Sequence, residues 1–214
     1  MATPKAWKNV AVAMQSALAA SVTISAITKA SPPVATATAH GYSNGDILYL
    51  SINGMHQLNE KVIRVANKTN DTFEIEGEDS TLYETFSSGG AEKITFGTSI
   101  VTATDLSASG GEYDYIDTTT IHASQKTQIP GLPSPTAYAM THIWDPSDPG
   151  QIAMKIASQS QAVRAFRFTF GAGGAVLYFA GNVGYSGTPG GSAQVLITCS
   201  STITQNGTST SYAS

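Results

Sequence analysis

The sequence predicts a mainly β protein with a single α-helix. Short runs of β-branched and aromatic residues recur about every ten residues, separated by turn signals, which is typical of a sandwich or small barrel. Residues 47–52, for example, form such a run and end at Asn53-Gly54, a common hairpin turn. Only one stretch of the chain carries clear helix signals. The 214 residues suffice to bury a core in one large β domain or two small ones.

The composition favours protein–protein contact over nucleic-acid binding. Only 12% of the residues are charged, and the net charge is −4. Residues 24–93 contain nine acidic and five basic residues, whereas the rest of the chain has six of each. No basic patch of the kind that neutralises phosphates is visible, so tight DNA or RNA binding is not expected.

The first half of the chain is predicted to contain a separate module at residues 23–96. Strand-like runs occur at 21–27, 34–38, 47–52, 62–65 and 72–76, and Gly89-Gly90 is expected to loosen the chain before another at 93–96. Before this module, residues 5–20 fit a strand and a helix almost equally well. The same residues resemble a signal peptide only loosely, since Gln15 and Ser16 interrupt the apolar run. No stretch is apolar enough to span a membrane.

Residues 97–136 are predicted to form a long irregular loop. They are rich in Thr, Ser, Gly and Pro, and the only strand candidates lie near residues 100–101 and 118–122. A segment of this length with so little regular pattern is usually functional or mobile.

The remaining residues are predicted to form a strand, the helix and three further strands. The first strand covers residues 136–144, and the helix covers about 149–160. Asp148 is a suitable N-cap and Pro149 suits the first helical position. Ile152 and Ile156 lie four residues apart, so we expect them to pack against a sheet. The later strands are expected at 165–170, 176–181 and 192–203, followed by a tail that is frayed or used in contacts.

The titratable residues form no pattern typical of catalysis or metal binding. The four histidines are scattered, and the single cysteine, Cys199, is expected to be a small core residue. The acids at 74–79 are expected to form a solvated strand face. Those at 112–117 are interpreted as part of a contact loop rather than an active site. We therefore predict no enzymatic activity, no cofactor and no metal site.

Two stretches resemble proteins of bacteriophage tails. Residues 40–47, with 54–59 and 71–75, resemble a small β-barrel insert that is common in phage tail proteins. Residues 144–149, the following helix and the runs 166–170, 177–181 and 188–191 resemble the C-terminal half of siphophage major tail tube proteins.

The second resemblance implies a fold and an assembly. It implies a tail-tube-type β-sandwich or barrel, built from residues 1–22 and 97–214, with one flanking helix and residues 23–96 inserted as a small β-barrel. Six subunits would close a ring, and stacked rings would form a channel for double-stranded DNA without specific binding or membrane insertion. Implied partners are the tape measure, tail terminator and distal tail proteins. The chain would be assembled in the host cytoplasm and reside in the virion.

The same resemblance places ring-stacking contacts in and before the 118–120 region. The candidate contact residues are Glu112, Tyr113, Asp114, Tyr115, Asp117 and Thr118. An alternative is a tail-associated adhesin that binds host-surface glycans through the 23–96 module and its aromatic residues Tyr42, Tyr49 and Tyr83.

Overall fold

The computed structural model describes residues 10–171 and 174–213, which form fifteen β-strands, one α-helix and a short 3-10 segment, His56–Leu58. The predicted mainly β fold with one helix is confirmed. The strands, in chain order, are β1 (Val10–Leu18), β2 (Val22–Ile24), β3 (Ala26–Ile27), β4 (Val34–Thr36), β5 (Ile47–Asn53), β6 (Val62–Ala66), β7 (Thr72–Ile75), β8 (Ser88–Ile100), β9 (Ala103–Ser109), β10 (Tyr113–Asp117), β11 (Gln128–Pro133), β12 (Ala137–Ile143), β13 (Arg164–Phe170), β14 (Val176–Tyr185) and β15 (Thr198–Tyr212). The helix α1 spans Pro149–Ser160.

Thirteen of these strands belong to one curled antiparallel sheet. Along the sheet the order is β3-β4-β7-β6-β5-β8-β1-β13-β14-β15-β12-β9, and β2 also pairs with β8. The remaining two strands, β10 and β11, pair only with each other. The segment at 5–20, which the sequence left open, is a strand from Val10 onward, because β8 and β13 pair with it on both sides. Its earlier residues lie outside the described part of the chain.

Strand β8 is continuous where the sequence predicted a flexible break. Gly89 and Gly90 lie inside the strand and pair with β2 and β5. A Cβ atom on Gly89 would lie 2.7 Å from the carbonyl oxygen of Ser51 and 2.6 Å from Cδ1 of Ile52. The glycines therefore permit a close approach between strands rather than loosening the chain.

The core consists of three groups of buried side chains. One lies among residues 24–91 and surrounds Phe73, and a second contains Phe166, Phe168 and Phe179 under α1. The third contains residues from both sequence regions: Val62, Ile94, Ala165, Tyr178, Ala180 and Tyr212. The division of the chain into 23–96 and the remainder stays a prediction, and this third group is where the two parts are in contact.

The predicted end of the chain was wrong in one respect. Residues 192–197 precede β15 instead of forming a strand, and Val195, Leu196 and Ile197 are exposed. Of the two alternatives predicted for the tail, frayed or used in contacts, the structure shows contacts, because the tail is part of β15, which continues to Tyr212. Pairing with β14 runs from Ser201 to Tyr212, and pairing with β12 covers the first half of the strand, Thr198 to Thr204. These ladders supply hydrogen-bond partners for the backbone N–H and C=O groups of the segment. Its Ser/Thr-rich composition alone would be typical of a loop.

The helix has the predicted bounds but buries a different face from the predicted one. Ile152 is 44% exposed and Ile156 is 55% exposed, whereas Gln151, Met154 and Ala157 are buried. The helix packs against β14 and β8, and Gly150, its second residue, approaches the Ser99 carbonyl closely. That close approach fixes which face is covered. In the described residues, no helix is long and apolar enough to cross a membrane.

Candidate interaction surfaces

The segment predicted to be a long irregular loop, residues 97–136, contains the end of β8 and three complete strands. Strand β9 pairs with β12 at the edge of the main sheet, and the chain then forms the β10–β11 hairpin before returning as β12. The expected strand at 118–122 lies beyond the end of β10. The prediction failed because most of the hairpin is exposed on both faces, so its sequence shows no alternation of apolar and polar residues.

All six candidate contact residues lie on this hairpin or beside it, and all are exposed: Glu112, Tyr113, Asp114, Tyr115, Asp117 and Thr118. The hairpin also exposes three large apolar side chains that the sequence analysis did not single out, namely Ile116, Ile129 and Leu132. An isolated two-stranded hairpin is marginally stable in water. Exposed apolar patches of this kind mark interaction sites.

Local hydrogen bonds order the chain next to the distal end of the hairpin. The backbone N–H of Thr118 donates to the Thr127 carbonyl at 2.9 Å. The N–H of Thr119 donates to Oδ1 of Asp117 at 2.8 Å. Hydrogen bonding from the Thr119 side chain, and then from its backbone, lowers the pKa of Asp117. Asp117 therefore remains a negative charge at the end of the hairpin over a wide pH range.

A second surface is a groove beside the helix, which we call the α1 groove. It has a volume of about 740 Å³ and lies between α1 and residues 185–189. The apolar side chains on its walls are Trp144, Pro146, Ile152, Ile156 and Pro189. Lys155 also lines it and is the only charged residue of α1. The sequence gives no sign of this groove, because the spacing of Ile152 and Ile156 predicts that both side chains are buried against a sheet.

Gln151 and Tyr185 hold the base of the α1 groove in place. The Gln151 Nε2 donates to the Ile143 carbonyl at 2.6 Å and to Thr102 Oγ1 at 3.0 Å. The Tyr185 hydroxyl donates to Gln151 Oε1 at 2.9 Å. Burial is the main cause that raises the pKa of Tyr185. The hydroxyl thus stays protonated and continues to donate.

The helix beside the groove begins at a capped end. Asp148 adopts an extended backbone conformation, and its Oδ1 accepts a hydrogen bond from the backbone N–H of Gln151 at 2.9 Å. Pro149 occupies the first helical position. This cap satisfies an otherwise unpaired N–H and fixes where α1 starts, which places Ile152 and Lys155 in the groove wall.

The acids at 74–79 are not all solvated, contrary to the prediction. Glu78 is nearly buried and forms an ion pair with Lys61, with 2.6 Å between Nζ and Oε1. Glu76 accepts from the Arg64 guanidinium, with 2.5 Å between Nε and Oε2. That hydrogen bond is the main cause that lowers the pKa of Glu76. These pairs are structural, and across residues 10–171 and 174–213 no group of His, Cys, Asp or Glu is arranged to hold a metal ion.

The three tyrosines considered for glycan binding do not form an exposed platform. Tyr42 is 5% exposed, packs against Phe73 and donates its hydroxyl hydrogen to the Ala91 carbonyl at 2.8 Å. Tyr49 and Tyr83 are half-buried. The Tyr83 hydroxyl donates to Glu78 at 3.2 Å. A sugar ring needs an open aromatic face, and Tyr42 offers none.

The described residues therefore present an apolar, acidic hairpin and an apolar groove that contains a single lysine. Comparison with known proteins gives the context for these surfaces. No curated protein matches the chain. The family model for the phage tail tube protein, TTP, matches residues 53–214, which is well over half of the sequence and includes both surfaces. The chain thus belongs to the phage tail tube protein family, and it is a structural component of a bacteriophage tail.

Proposed function

We propose that this chain is a major tail tube subunit that assembles into stacked rings, with six copies in each ring. The β10–β11 hairpin is the observation that carries the proposal. Its six candidate contact residues and three further apolar side chains are exposed in the single chain. Contact with neighbouring copies would bury these side chains, which accounts for their exposure in the single chain.

The edges of the sheet support assembly into a closed ring. Strands β3 and β9 lie at the two ends of the strand order. Exposed edge strands tend to pair with other chains, and a closed ring covers them in a controlled way. The low share of charged residues also limits repulsion between copies of the same surface.

The charge balance supports a channel through which DNA passes without specific binding. The net charge is −4, and basic residues are not concentrated in any part of the sequence. A lumen without a basic patch would release few counterions on contact with DNA, so DNA would not adhere. The proposal includes no enzymatic activity and no cofactor.

The remaining partners follow from the role of a tube. We propose contacts with the tape measure protein inside the tube, with the tail terminator at one end and with the distal tail proteins at the other. Assembly would take place in the host cytoplasm, and the finished tube would belong to the virion.

Electron microscopy of the purified full-length chain tests this function. We expect rings or tubes in negative stain at high protein concentration, and six-fold symmetry in averaged end views. A chain that remains monomeric at high concentration and low salt, even with preformed tubes as seeds, would contradict the proposal. Another ring symmetry would contradict the number six alone.

A hairpin deletion provides a second test. Removal of residues 112–134 leaves a four-residue connection between Ser109 and Ala137, which already pair with each other. We expect this variant to fold with an unchanged melting temperature, because β10 and β11 pair only with each other. It should not form tubes. Tubes of normal length from the folded variant would remove the hairpin from the proposal.

A further inference from the structure

The hairpin and the α1 groove lie at opposite ends of the same pair of strands. In the β9–β12 ladder, Ser109 pairs with Ala137 next to the hairpin, and Ala103 pairs with His142 at the other end. Beyond that other end, Gln151 of α1 hydrogen-bonds to Thr102 and Ile143. Seven residues of β9 separate the two ends, which corresponds to about 20 Å.

This placement prevents the hairpin of a chain from reaching the groove of the same chain. The hairpin continues the β9–β12 pairing beyond Ser109, since Gly111 N–H donates to the Ser134 carbonyl and Ser134 N–H donates to the Glu112 carbonyl. The groove lies beyond the far end of β9. A second copy displaced along the strand direction would bring its hairpin to the groove. Such a head-to-tail contact uses two different patches and does not close on itself, so it generates a filament.

The two surfaces are also complementary in chemistry. The hairpin and its turn, residues 112–133, contain three acids and one lysine. Ile116 and Ile129 are directly paired across the hairpin and are both exposed. In the groove, Lys155 is the only charged residue of the helix and lies between Ile152 and Ile156. A volume of about 740 Å³ is sufficient for several side chains.

We propose that the β10–β11 hairpin of one copy docks into the α1 groove of the next copy along the tube. The Ile116–Ile129 pair contacts the apolar walls, and Lys155 pairs with the carboxylate of Asp114, which lies two residues before Ile116 and therefore on the same face of β10. This inference rests on the proposed function, since it names the receiving surface for the hairpin. The apolar contacts supply most of the affinity, and the charges select the orientation.

Charge reversal with rescue tests the pairing. We expect Lys155→Glu to raise the protein concentration needed for tube assembly by at least about tenfold, because like charges would face each other. Asp114→Lys should have the same effect. A chain that carries both substitutions should recover assembly. Lys68→Glu is the matched control, because Lys68 is an exposed lysine in the 23–96 segment, and it should assemble normally.

Cysteine cross-linking tests the contact itself. A chain with Ile116→Cys and Ile156→Cys should form a ladder of disulfide-linked multimers under oxidising conditions, whereas each single variant should not. The native Cys199 is buried and does not compete.

The outcomes separate this inference from the proposed function. Normal assembly of the Lys155→Glu chain, failure of the double variant to recover, or absence of the cross-linked ladder in well-formed tubes would each overturn the hairpin-to-groove contact and leave the tube function intact. A wild-type chain that forms no tubes would contradict the function.

Discussion

Tyr212 connects the last strand to the 23–96 segment. It is buried next to Tyr178, and its hydroxyl oxygen accepts a hydrogen bond from the backbone N–H of Arg64 at 2.9 Å. The Arg64 guanidinium lies over the Tyr212 ring, 4.3 Å from its centre, and also binds Glu76. One side chain therefore combines apolar burial, a hydrogen bond and a cation–π contact between residues far apart in sequence.

Replacement of Tyr212 by Phe should lower the free energy of unfolding by about 1–2 kcal/mol, because the Arg64 N–H loses its acceptor in a partly buried place. Chemical denaturation measures this change. The matched control is Tyr115→Phe on the exposed hairpin, which should alter stability by less than about 0.5 kcal/mol. Equal effects of the two substitutions would contradict the role assigned to Tyr212.

Buried and half-buried tyrosines should make the stability of the folded chain decrease at alkaline pH. Burial is the main cause that raises the pKa of Tyr42, Tyr49 and Tyr212 to about 12, against 10.0 for a free tyrosine. The folded state therefore favours their neutral form. Their contribution to stability is complete below pH 10 and is lost as the pH rises from 10 through about 12.

Denaturant unfolding at a series of pH values measures this loss, and tyrosinate absorbance of the native chain reports the ionisation. Tyr49→Phe removes one of the three groups, so its stability should decline less steeply above pH 10. Ionisation of all the tyrosines of the folded chain near pH 10 would contradict the prediction.

At the scale of elements, α1 illustrates how a helix can have predictable ends and an unpredictable orientation. Its start depends on Asp148 and Pro149, which act on the adjacent turn. Its buried face depends on Gly150, which allows close packing at Ser99, and on partners for Gln151 in β12, in β14 and at Thr102, just before β9. None of these partners is adjacent in sequence.

From the orientation of α1 we expect two substitutions to differ clearly in their effect on stability. Met154→Ala should lower the free energy of unfolding by about 2–5 kcal/mol, because it leaves a cavity under the helix. Ile156→Ala should cost less than about 1 kcal/mol, since that side chain is largely exposed, and it should weaken tube assembly instead. Denaturation and electron microscopy of both variants provide the comparison. A larger stability loss for Ile156→Ala would contradict the observed orientation.

The β10–β11 hairpin and the end of β15 show the same limitation for strands. Both segments are rich in residues that are typical of loops, so their sequences favour irregular structure. The hairpin forms because its two strands satisfy each other's backbone groups. Strand β15 extends to Tyr212 because β14 supplies a ladder beyond the point where pairing with β12 ends.

At the scale of the whole molecule, the last residues of β15 hold the 23–96 segment against the rest of the sheet. Thr210 donates its hydroxyl hydrogen to the Val62 carbonyl, and Tyr212 contributes to the third buried group together with Val62 and Ile94. Strand β8 also runs continuously from one part to the other. The segment is therefore attached by both its backbone and a shared core.

Removal of residues 210–214 should eliminate the contacts that Thr210 and Tyr212 make with the 23–96 segment. We expect a loss of at least about 3 kcal/mol in the free energy of unfolding, since a buried tyrosine and a buried hydrogen bond disappear together. Limited proteolysis should then cleave near residues 60–66 faster than in the full chain. The control lacks only residues 213–214 and should behave like the full chain. Equal cleavage of both truncated chains would contradict the proposed attachment.

Local sequence was sufficient for the fold class, the bounds of α1, its capping residue and the family resemblance. These features depend on turn residues, caps and side-chain alternation within a few positions. Local sequence also directed attention to residues 112–118, although it predicted the wrong conformation there. The apolar residues Ile116 and Ile129 and the whole α1 groove were missed, because exposure depends on what the rest of the chain covers.

Long-range pairing and packing account for the remainder. They orient α1 so that Ile152, Lys155 and Ile156 face outward, and they extend β15 to Tyr212. They also place the hairpin and the groove at opposite ends of the β9–β12 pair. Each of these features depends on contacts between residues far apart in sequence, and such contacts leave no periodic pattern in the segments that make them.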